Sequence, residues 1–124
     1  MQRWRIGLIL LAASCAPALH PGPLQSIVNE RLYLGRNIRD SLGVTDSDWA
    51  IFVKEVVAVQ LPGGFTFWAA QGGPRPEPTF VLEIVHPARA SATDSAIVAI
   101  IAEYKRRFRQ ESVLRVVTPG RASF

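Results

Sequence analysis

Five side chains could do chemistry together if the fold brings separate stretches of the chain side by side. They are Arg31, Tyr33, Trp68, Glu83 and Arg115. A carboxylate, a phenol and two guanidinium groups beside an indole could bind a polar anion or support general acid–base catalysis. The alternative is a cross-strand ion pair on a solvated or dimerised sheet surface. We favour that alternative because charged residues on exposed strands are common.

An alternating sequence would place these side chains on one face of a sheet. Arg31 and Tyr33 alternate with two leucines, which predicts a strand with one apolar side. Glu83 alternates with apolar residues in the same way. Because an unpaired buried carboxylate is costly, the face that carries Glu83 is expected to be free of helices. The same reasoning assigns Arg115 to that face, with Trp68 nearby.

Valines argue against a fully solvated face. The alternation assigns four of them to it, namely Val81, Val85, Val113 and Val117. An apolar surface of this kind is typical of contact with a partner subunit or of a ligand pocket. The sequence therefore predicts a binding or interaction module that forms a homodimer through its sheet. The alternative is a small enzyme with an acid–base pocket on the open sheet face, using Glu83, Tyr33 or His86.

Two further polar residues, His86 and Glu111, have ordinary structural explanations. His86 stands at a strand end without a recognisable nucleophile, which favours a structural role over that of a general base. Glu111 lies at a helix-to-strand junction (residues 110–112), where accepting backbone N–H bonds or pairing with an arginine is more usual than catalysis. The cationic run at 105–109 could contact anionic lipid, although the dipole of a helix already favours cations at its C-terminal end.

Composition excludes several classes of site. One cysteine rules out an internal disulfide and any multi-cysteine metal or iron–sulfur site, and two histidines disfavour a histidine metal cage. The sequence contains no phosphate loop, dinucleotide fingerprint or RNA-binding signature, so no cofactor is expected.

The net charge is 14 − 10 = +4, and it falls to 12 − 10 = +2 without residues 1–14. This weak basicity makes nucleic acid an unexpected partner.

The elements that must position these residues follow the order strand, helix, strand, strand, helix, strand. The predicted strands are 26–35, 65–71, 79–86 and 112–117. One helix follows Thr45 and ends before Pro62, a second runs over 91–109, and residues 37–44 form a loop. This order predicts an α+β ferredoxin-like sandwich, with two helices on one face of a four-stranded antiparallel sheet.

Each helix has a start signal and an apolar stripe. Thr45 with Asp48, and Ser91 with Asp94, have the spacing of variant capping boxes. Residues three and four apart then form the faces expected to be buried. These are Trp49, Phe52, Val53 and Val56 in the first helix, and Ile97, Ile100, Ile101, Tyr104 and Phe108 in the second.

The N-terminus has the form of a bacterial lipoprotein signal. Two arginines precede an apolar run at 6–13, and small residues precede Cys15. The run is shorter than the roughly 20 residues that span a bilayer. We expect residues 1–14 to be removed, Cys15 to be lipidated, residues 15–25 to form a flexible Pro-rich linker, and residues 26–124 to form one domain. An ordinary cleaved signal with an incidental cysteine is the alternative.

The lipid would make the membrane a partner and place the protein in the cell envelope, and Ala16 favours the outer membrane, facing the periplasm.

Several segments resemble a bacterial exported family catalogued as domain of unknown function 3574. The most specific is the run 110–114 after the Tyr104 helix, and residues 32–35, 62–66 and 85–86 also match. The resemblance spans about residues 30–124. The sequence departs from the family pattern at 120–123, where a cysteine is expected, at Glu83, where an apolar residue is usual, and after Trp68. The resemblance implies export, and in many members lipidation, but it supplies no activity.

Overall fold

The computed structural model describes residues 22–124. The predicted signal at 1–14, the lipidated Cys15 and most of the linker at 15–25 therefore lie outside the described residues. Within the described part, no helix is long and apolar enough to cross a membrane. The first strand begins inside the predicted linker, at Gln25.

The main sheet has four antiparallel strands, whose bounds lie within two residues of the predicted ones except at the end of the last strand, which runs five residues further. They are β1 (Gln25–Gly35), β4 (Thr66–Gly72), β5 (Glu77–Pro87) and β6 (Leu114–Ala122). Their order in the sheet is β4-β5-β1-β6, so β1 and β5 are central. The predicted loop at 37–44 instead contains a small hairpin, with β2 (Asn37–Ile38) paired to β3 (Ser41–Leu42).

Two helical stretches follow the predicted order. The first consists of α1 (Asp46–Phe52), a π-helical segment (Val53–Val57) and α2 (Ala58–Gln60), and the second is α3 (Ser91–Phe108). The predicted capping box at the start of α1 is confirmed. The Thr45 hydroxyl accepts from the Asp48 amide at 3.1 Å, and the Asp48 carboxylate accepts from the Thr45 amide at 2.9 Å. Hydrogen bonds to the Asp48 carboxylate, from the Thr45 backbone first and then from the Thr45 hydroxyl, lower the pKa of Asp48.

The π-helical segment changes which valines face the core. A π turn holds more residues than an α turn, so the apolar stripe shifts in phase along the helix. Val57 is fully buried, whereas Val53 and Val56, which the α-helical spacing predicts as buried, are only partly so. The stripe along α3 is confirmed at Ile97, Ile100, Tyr104 and Phe108, with Ile101 partly buried.

The capping box predicted at the start of α3 is wrong. The N-cap is Ala90, and no side chain caps the helix. The Asp94 carboxylate accepts instead from Arg115 Nη2 on β6, at 2.6 Å. At its other end, α3 stops at Arg109, whose backbone is left-handed with φ 50°, a conformation usually taken by glycine at helix ends.

Both helices pack on the same face of the sheet. Trp49 stacks on Phe80 of β5 with ring centroids 4.3 Å apart, and the Tyr104 ring meets Phe52 edge-on at 5.2 Å. The Tyr104 hydroxyl donates to the Gly35 carbonyl at 2.9 Å, and burial raises the pKa of Tyr104. This arrangement confirms the predicted ferredoxin-like α+β sandwich.

Within residues 22–124, no helix covers the other face of the sheet, the open face. Cross-strand register assigns to it Asn29, Arg31, Tyr33, Trp68, Val81, Glu83, Val85, Leu114 and Val116. In β1, Arg31 lies opposite Glu83 on one side and Val116 on the other. The next residue, Leu32, points to the helices and is fully buried.

The last strand, β6, runs through Pro119, well past its predicted end at 117. Proline has no N–H and is excluded from central strands. Because β6 pairs only with β1 and forms an edge of the sheet, Pro119 is tolerated there, opposite Val28.

Candidate functional site

An ion pair occupies the centre of the open face. Arg31 Nε donates to Glu83 Oε1 at 2.8 Å, and Asn29 Nδ2 donates to the same oxygen at 2.9 Å. The Arg31 guanidinium carbon lies 5.9 Å from the ring centroid of Trp68, within reach of a cation–π contact. Tyr33 follows two residues along the same strand. Four of the five predicted site residues therefore share this face.

The electrostatics of this cluster do not favour Glu83 as a proton acceptor. The hydrogen bond from Asn29, and then that from Arg31, hold the pKa of Glu83 below its usual value despite partial burial. An ionised carboxylate already bound by two donors is a weak general base at neutral pH. The cluster is better suited to recognising a polar group or a second protein surface than to moving a proton.

The assignment of Arg115 to the open face is wrong. Arg115 does oppose Leu114 and Val116 in direction, as predicted, but it lies across from the buried Leu32 and therefore faces the helices. Alternation shows which residues of a strand share a face, and only the pairing register shows which face that is. The same register places Val117, opposite Glu30, on the helix side, and Val113, which precedes β6, packs against the core.

Arg115 belongs to a second polar group, the inner charged cluster, made of Glu30, His86, Asp94 and Arg115. Arg115 donates through Nε and Nη2 to Glu30, with Nη2 2.9 Å from Oε1, and its Nη2 also reaches Asp94. Glu30 is 2 % exposed. Its burial acts to raise its pKa, but hydrogen bonds and charge from Arg115 and His86 outweigh that effect, so the pKa of Glu30 is lowered.

His86 is held inside this cluster, away from the open face. Nδ1 lies 2.9 Å from the Pro87 carbonyl oxygen and Nε2 lies 3.1 Å from Glu30 Oε1. Both ring nitrogens are therefore occupied by contacts within the protein, and neither is turned to the open face. The geometry supports the structural role that the sequence favours for His86.

Large apolar side chains are exposed around the open-face ion pair. Leu114 is 61 % exposed, Val85 44 %, and Trp68 and Val116 39 % each. Val81, which lies between Tyr33 and Trp68 in the register, is buried. The predicted apolar character of the face is therefore present, but β6 supplies it through Leu114 and Val116 instead of Val113 and Val117.

A cleft of about 820 Å³, the end cleft, opens where β1 ends. Its floor includes Tyr33, Gly35 and Leu114, and its walls come from the β2–β3 hairpin, the start of β5 and the junction between α3 and β6. Sequence reasoning singled out the junction residues 110–112 but did not predict a cleft there. The Gln110 amide ties this junction to the hairpin, because its Nε2 donates to the Asn37 carbonyl at 2.9 Å.

The cationic end of α3 is partly neutralised within the protein. Arg106 and Arg107 both bind Glu103, and Arg107 also binds Glu55 at 2.9 Å. Hydrogen bonds from Arg106 first, and then from Arg107, lower the pKa of Glu103 to about 2. Over residues 22–124, no group of three or more histidine, cysteine, aspartate or glutamate side chains is placed to hold a metal ion.

Comparisons with known proteins confirm the family resemblance. A family model described as "Protein of unknown function (DUF3574)" matches residues 29–124, and the chain belongs to this family. No curated protein sequence matches. Among solved structures, a phage SAM lyase in complex with S-methyl-5′-thioadenosine shares 19 % identity with a TM-score of 0.60, covering 88 % of this chain and 95 % of that one. A phage SAM lyase in the apo state has 16 % identity and a TM-score of 0.43, covering 78 % and 87 %. At 19 % identity, the likeness to the first of these structures concerns the fold alone.

Proposed function

We propose that this member of the DUF3574 family is a small interaction module that self-associates through its open face, while an N-terminal lipid holds it at the cell envelope. One observation carries the self-association. A sheet face without helices exposes Trp68, Val85, Leu114 and Val116 around the Arg31–Glu83 ion pair. Contiguous exposed apolar surface rimmed by polar groups is typical of protein–protein interfaces.

The charge pattern of the open face suits contact with a second copy. In an interface with two-fold symmetry the same patch meets itself, so a patch with one cation and one anion can complement its own copy. Arg31 and Glu83 provide that pair at the centre, and neither is buried within one chain, with side chains 46 % and 22 % exposed. The apolar residues beside them would supply most of the stabilisation through burial.

Cysteine cross-linking tests the interface on the full chain. With Cys15→Ser in place, a cysteine introduced by Val116→Cys is the only thiol. We expect a short bis-maleimide to give a covalent dimer. The matched control is Val98→Cys, at a valine 53 % exposed on α3, which lies on the opposite side of the molecule. Equal cross-linking at both positions, or none at Val116, would contradict the proposal.

A second experiment, which introduces negative charges into the same surface, tests it independently. Leu114→Glu together with Val116→Glu places four carboxylates in a two-fold interface, so we expect a monomer in sedimentation equilibrium. Val98→Glu in the helix layer is expected to leave the oligomeric state unchanged. A wild-type chain that remains monomeric at high concentration would refute self-association.

The proposal that a lipid anchors the protein rests on residues 1–15 alone and is tested separately. We expect bacterial cells that express the full chain to incorporate labelled palmitate into it, and the Cys15→Ser variant to remain unlabelled. Membrane fractionation should then place the wild-type chain with the outer membrane. An unlabelled wild-type chain that keeps its leader would refute the anchor without bearing on the interface.

A second candidate function is small-molecule chemistry, and the end cleft is the observation that favours it. Glu83 and His86 are each engaged elsewhere, so Tyr33, which lines the cleft, is the remaining candidate of the acid–base set. The fold is shared with a phage SAM lyase seen with S-methyl-5′-thioadenosine.

Incubation of the full chain with SAM, followed by chromatography for S-methyl-5′-thioadenosine, tests this second function directly. Formation of that product by the wild type and its loss in Tyr33→Phe would support the enzyme, and unchanged SAM would exclude this reaction.

A further inference from the structure

We propose that the end cleft binds a small ligand that carries an α-amino acid group, with its ammonium beside Glu77 and Gln110 and its carboxylate beside Arg39 and Arg109. All four side chains line the cleft. The end cleft borders the open face and shares Leu114 with it, but the proposal does not depend on self-association.

The two carboxylates of the cleft, Glu77 and Glu111, have no cation or cap as a partner among residues 22–124. The chain has ten acidic residues, all within the described part. Six form ion pairs and a seventh, Asp48, caps α1. This leaves 10 − 7 = 3 without a cation or cap among residues 22–124, namely Asp40, Glu77 and Glu111. Two of the three, Glu77 and Glu111, line the end cleft.

The cations of the cleft are also available. Arg39 and Arg109 both line it, and neither forms an ion pair with a residue that the structure describes. Two guanidinium groups and two carboxylates therefore share one concave surface without neutralising each other. A ligand that carries both charges can satisfy both kinds of group, whereas a simple anion or cation would meet repulsion from one of them.

Acceptor oxygens converge above the cleft floor. The point that a Cβ would occupy on Gly35 lies 3.3 Å from Glu77 Oε1 and 3.5 Å from Gln110 Oε1. The Gln110 amide is fixed because its Nε2 donates to the Asn37 carbonyl, and this leaves Oε1 turned towards the floor. An ammonium group has three N–H donors and no acceptor, so it matches a carboxylate and an amide oxygen placed together.

The backbone of both arginines is left-handed. Arg39 has φ 57° and Arg109 has φ 50°, and no other residue except glycine has a positive φ in residues 22–124. Glycine adopts this conformation without steric cost, so an arginine there is retained at the expense of local stability. Such strain concentrates at functional sites. The two strained residues line the same cleft, which indicates that their side chains serve it.

Equilibrium dialysis of the full chain in detergent, with tritiated L-leucine as the probe, tests the proposal. Leucine is chosen because Ile38 and Leu114 give the cleft apolar walls. We expect saturable binding at one site per chain. L-leucinamide keeps only the ammonium and 4-methylpentanoate keeps only the carboxylate, so each should compete at least about tenfold more weakly, the effect of losing one charged hydrogen-bonding group.

Glycine variants separate a binding role from a folding role. Arg39→Gly and Arg109→Gly should each weaken leucine binding about tenfold or more. Their thermal unfolding temperatures should be unchanged or raised, because glycine relieves the left-handed strain. Glu77→Gln should also weaken binding. The matched control is Arg89→Gly, at an exposed arginine outside the cleft, which should bind as the wild type does.

Three outcomes would overturn the proposal. One is no saturable binding up to about 10 mM leucine, weaker than a typical weak complex. Another is equal competition by leucinamide or 4-methylpentanoate. The third is unchanged affinity in Arg39→Gly and Arg109→Gly, with normal unfolding temperatures.

Discussion

Two adjacent residues of β1, Glu30 and Arg31, enter ion pairs of opposite character on the two faces of one sheet. Glu30 faces the helices and is 2 % exposed, bound by Arg115 and His86. Arg31 faces away and binds Glu83 with its own side chain 46 % exposed. The same pairing of carboxylate with guanidinium is buried in one place and hydrated in the other.

The difference shows that burial, and not charge, decides what each pair contributes. A buried carboxylate cannot lose its cation without a large desolvation cost, so the inner charged cluster is bound to the integrity of the fold. The open-face pair is partly exposed to water and contributes less to folding. Its groups can therefore exchange their present contacts for those of a partner.

Removing the guanidinium from each pair tests this contrast most strongly. Arg115→Met keeps the length of the side chain but leaves Glu30 buried without its main cation. We expect the free energy of unfolding to fall by about 3–5 kcal/mol in urea titrations. A loss below about 1 kcal/mol would show that water reaches Glu30, and the two faces would then differ less than the structure implies.

Acid titration tests the contribution of the buried carboxylate, Glu30, next. The pKa of Glu30 is lowered in the folded state, so its contribution to stability is present above the ordinary value of 4.5 and is lost as the pH falls through the folded pKa. We expect Glu30→Gln to be less stable at neutral pH and to lose less stability on acidification than the wild type. Measuring urea midpoints from about pH 6 to about pH 3 checks this. Parallel curves for the two proteins would contradict it.

The matched change on the open face should have a smaller effect. Arg31→Met leaves Glu83 partly exposed and still bound by Asn29, so the free energy of unfolding should fall by much less than in Arg115→Met. Urea titration at low protein concentration, where chains do not associate, is the measurement. A loss of unfolding free energy comparable to that of Arg115→Met would mean that water is excluded from the open-face ion pair as fully as from the helix side.

The smallest effect is expected at the outer end of the inner charged cluster. Asp94 binds Arg115 but its side chain is 62 % exposed, and it lies in the first turn of α3. Asp94→Asn should cost about 0.5 kcal/mol, from a hydrated ion pair and a helix dipole contact. A larger loss in thermal unfolding would indicate that Asp94, and not Glu30, is the main partner of Arg115.

Local patterns predicted the fold because each element carries its own signal. Period-two strands, the Thr45 capping box and the apolar stripe on α3 gave the order of elements and their layers without reference to distant residues. The hairpin at 37–42 and the π-helical segment were not predicted, because short or irregular hydrogen bonding leaves no periodic trace in the sequence.

The site was harder to predict because faces and registers depend on partner strands. Arg115 was assigned to the open face on the assumption that charge points to water. The sequence does contain evidence against that assignment. Glu30 alternates with Leu32 and Leu34, so it lies on the same face of β1 as these buried leucines and needs a cation there. The end cleft had no such signal, because three segments far apart in sequence form it.

Pro119, at the rim formed by β6, has a consequence for assembly. A fifth strand attempting to extend the sheet along that rim would find no amide hydrogen at Pro119 and would lose a rung of its ladder. Growth of the sheet from chain to chain is discouraged at this border. Two copies that meet along this edge cannot form the complete hydrogen-bond ladder on which open-ended edge-to-edge fibre growth depends.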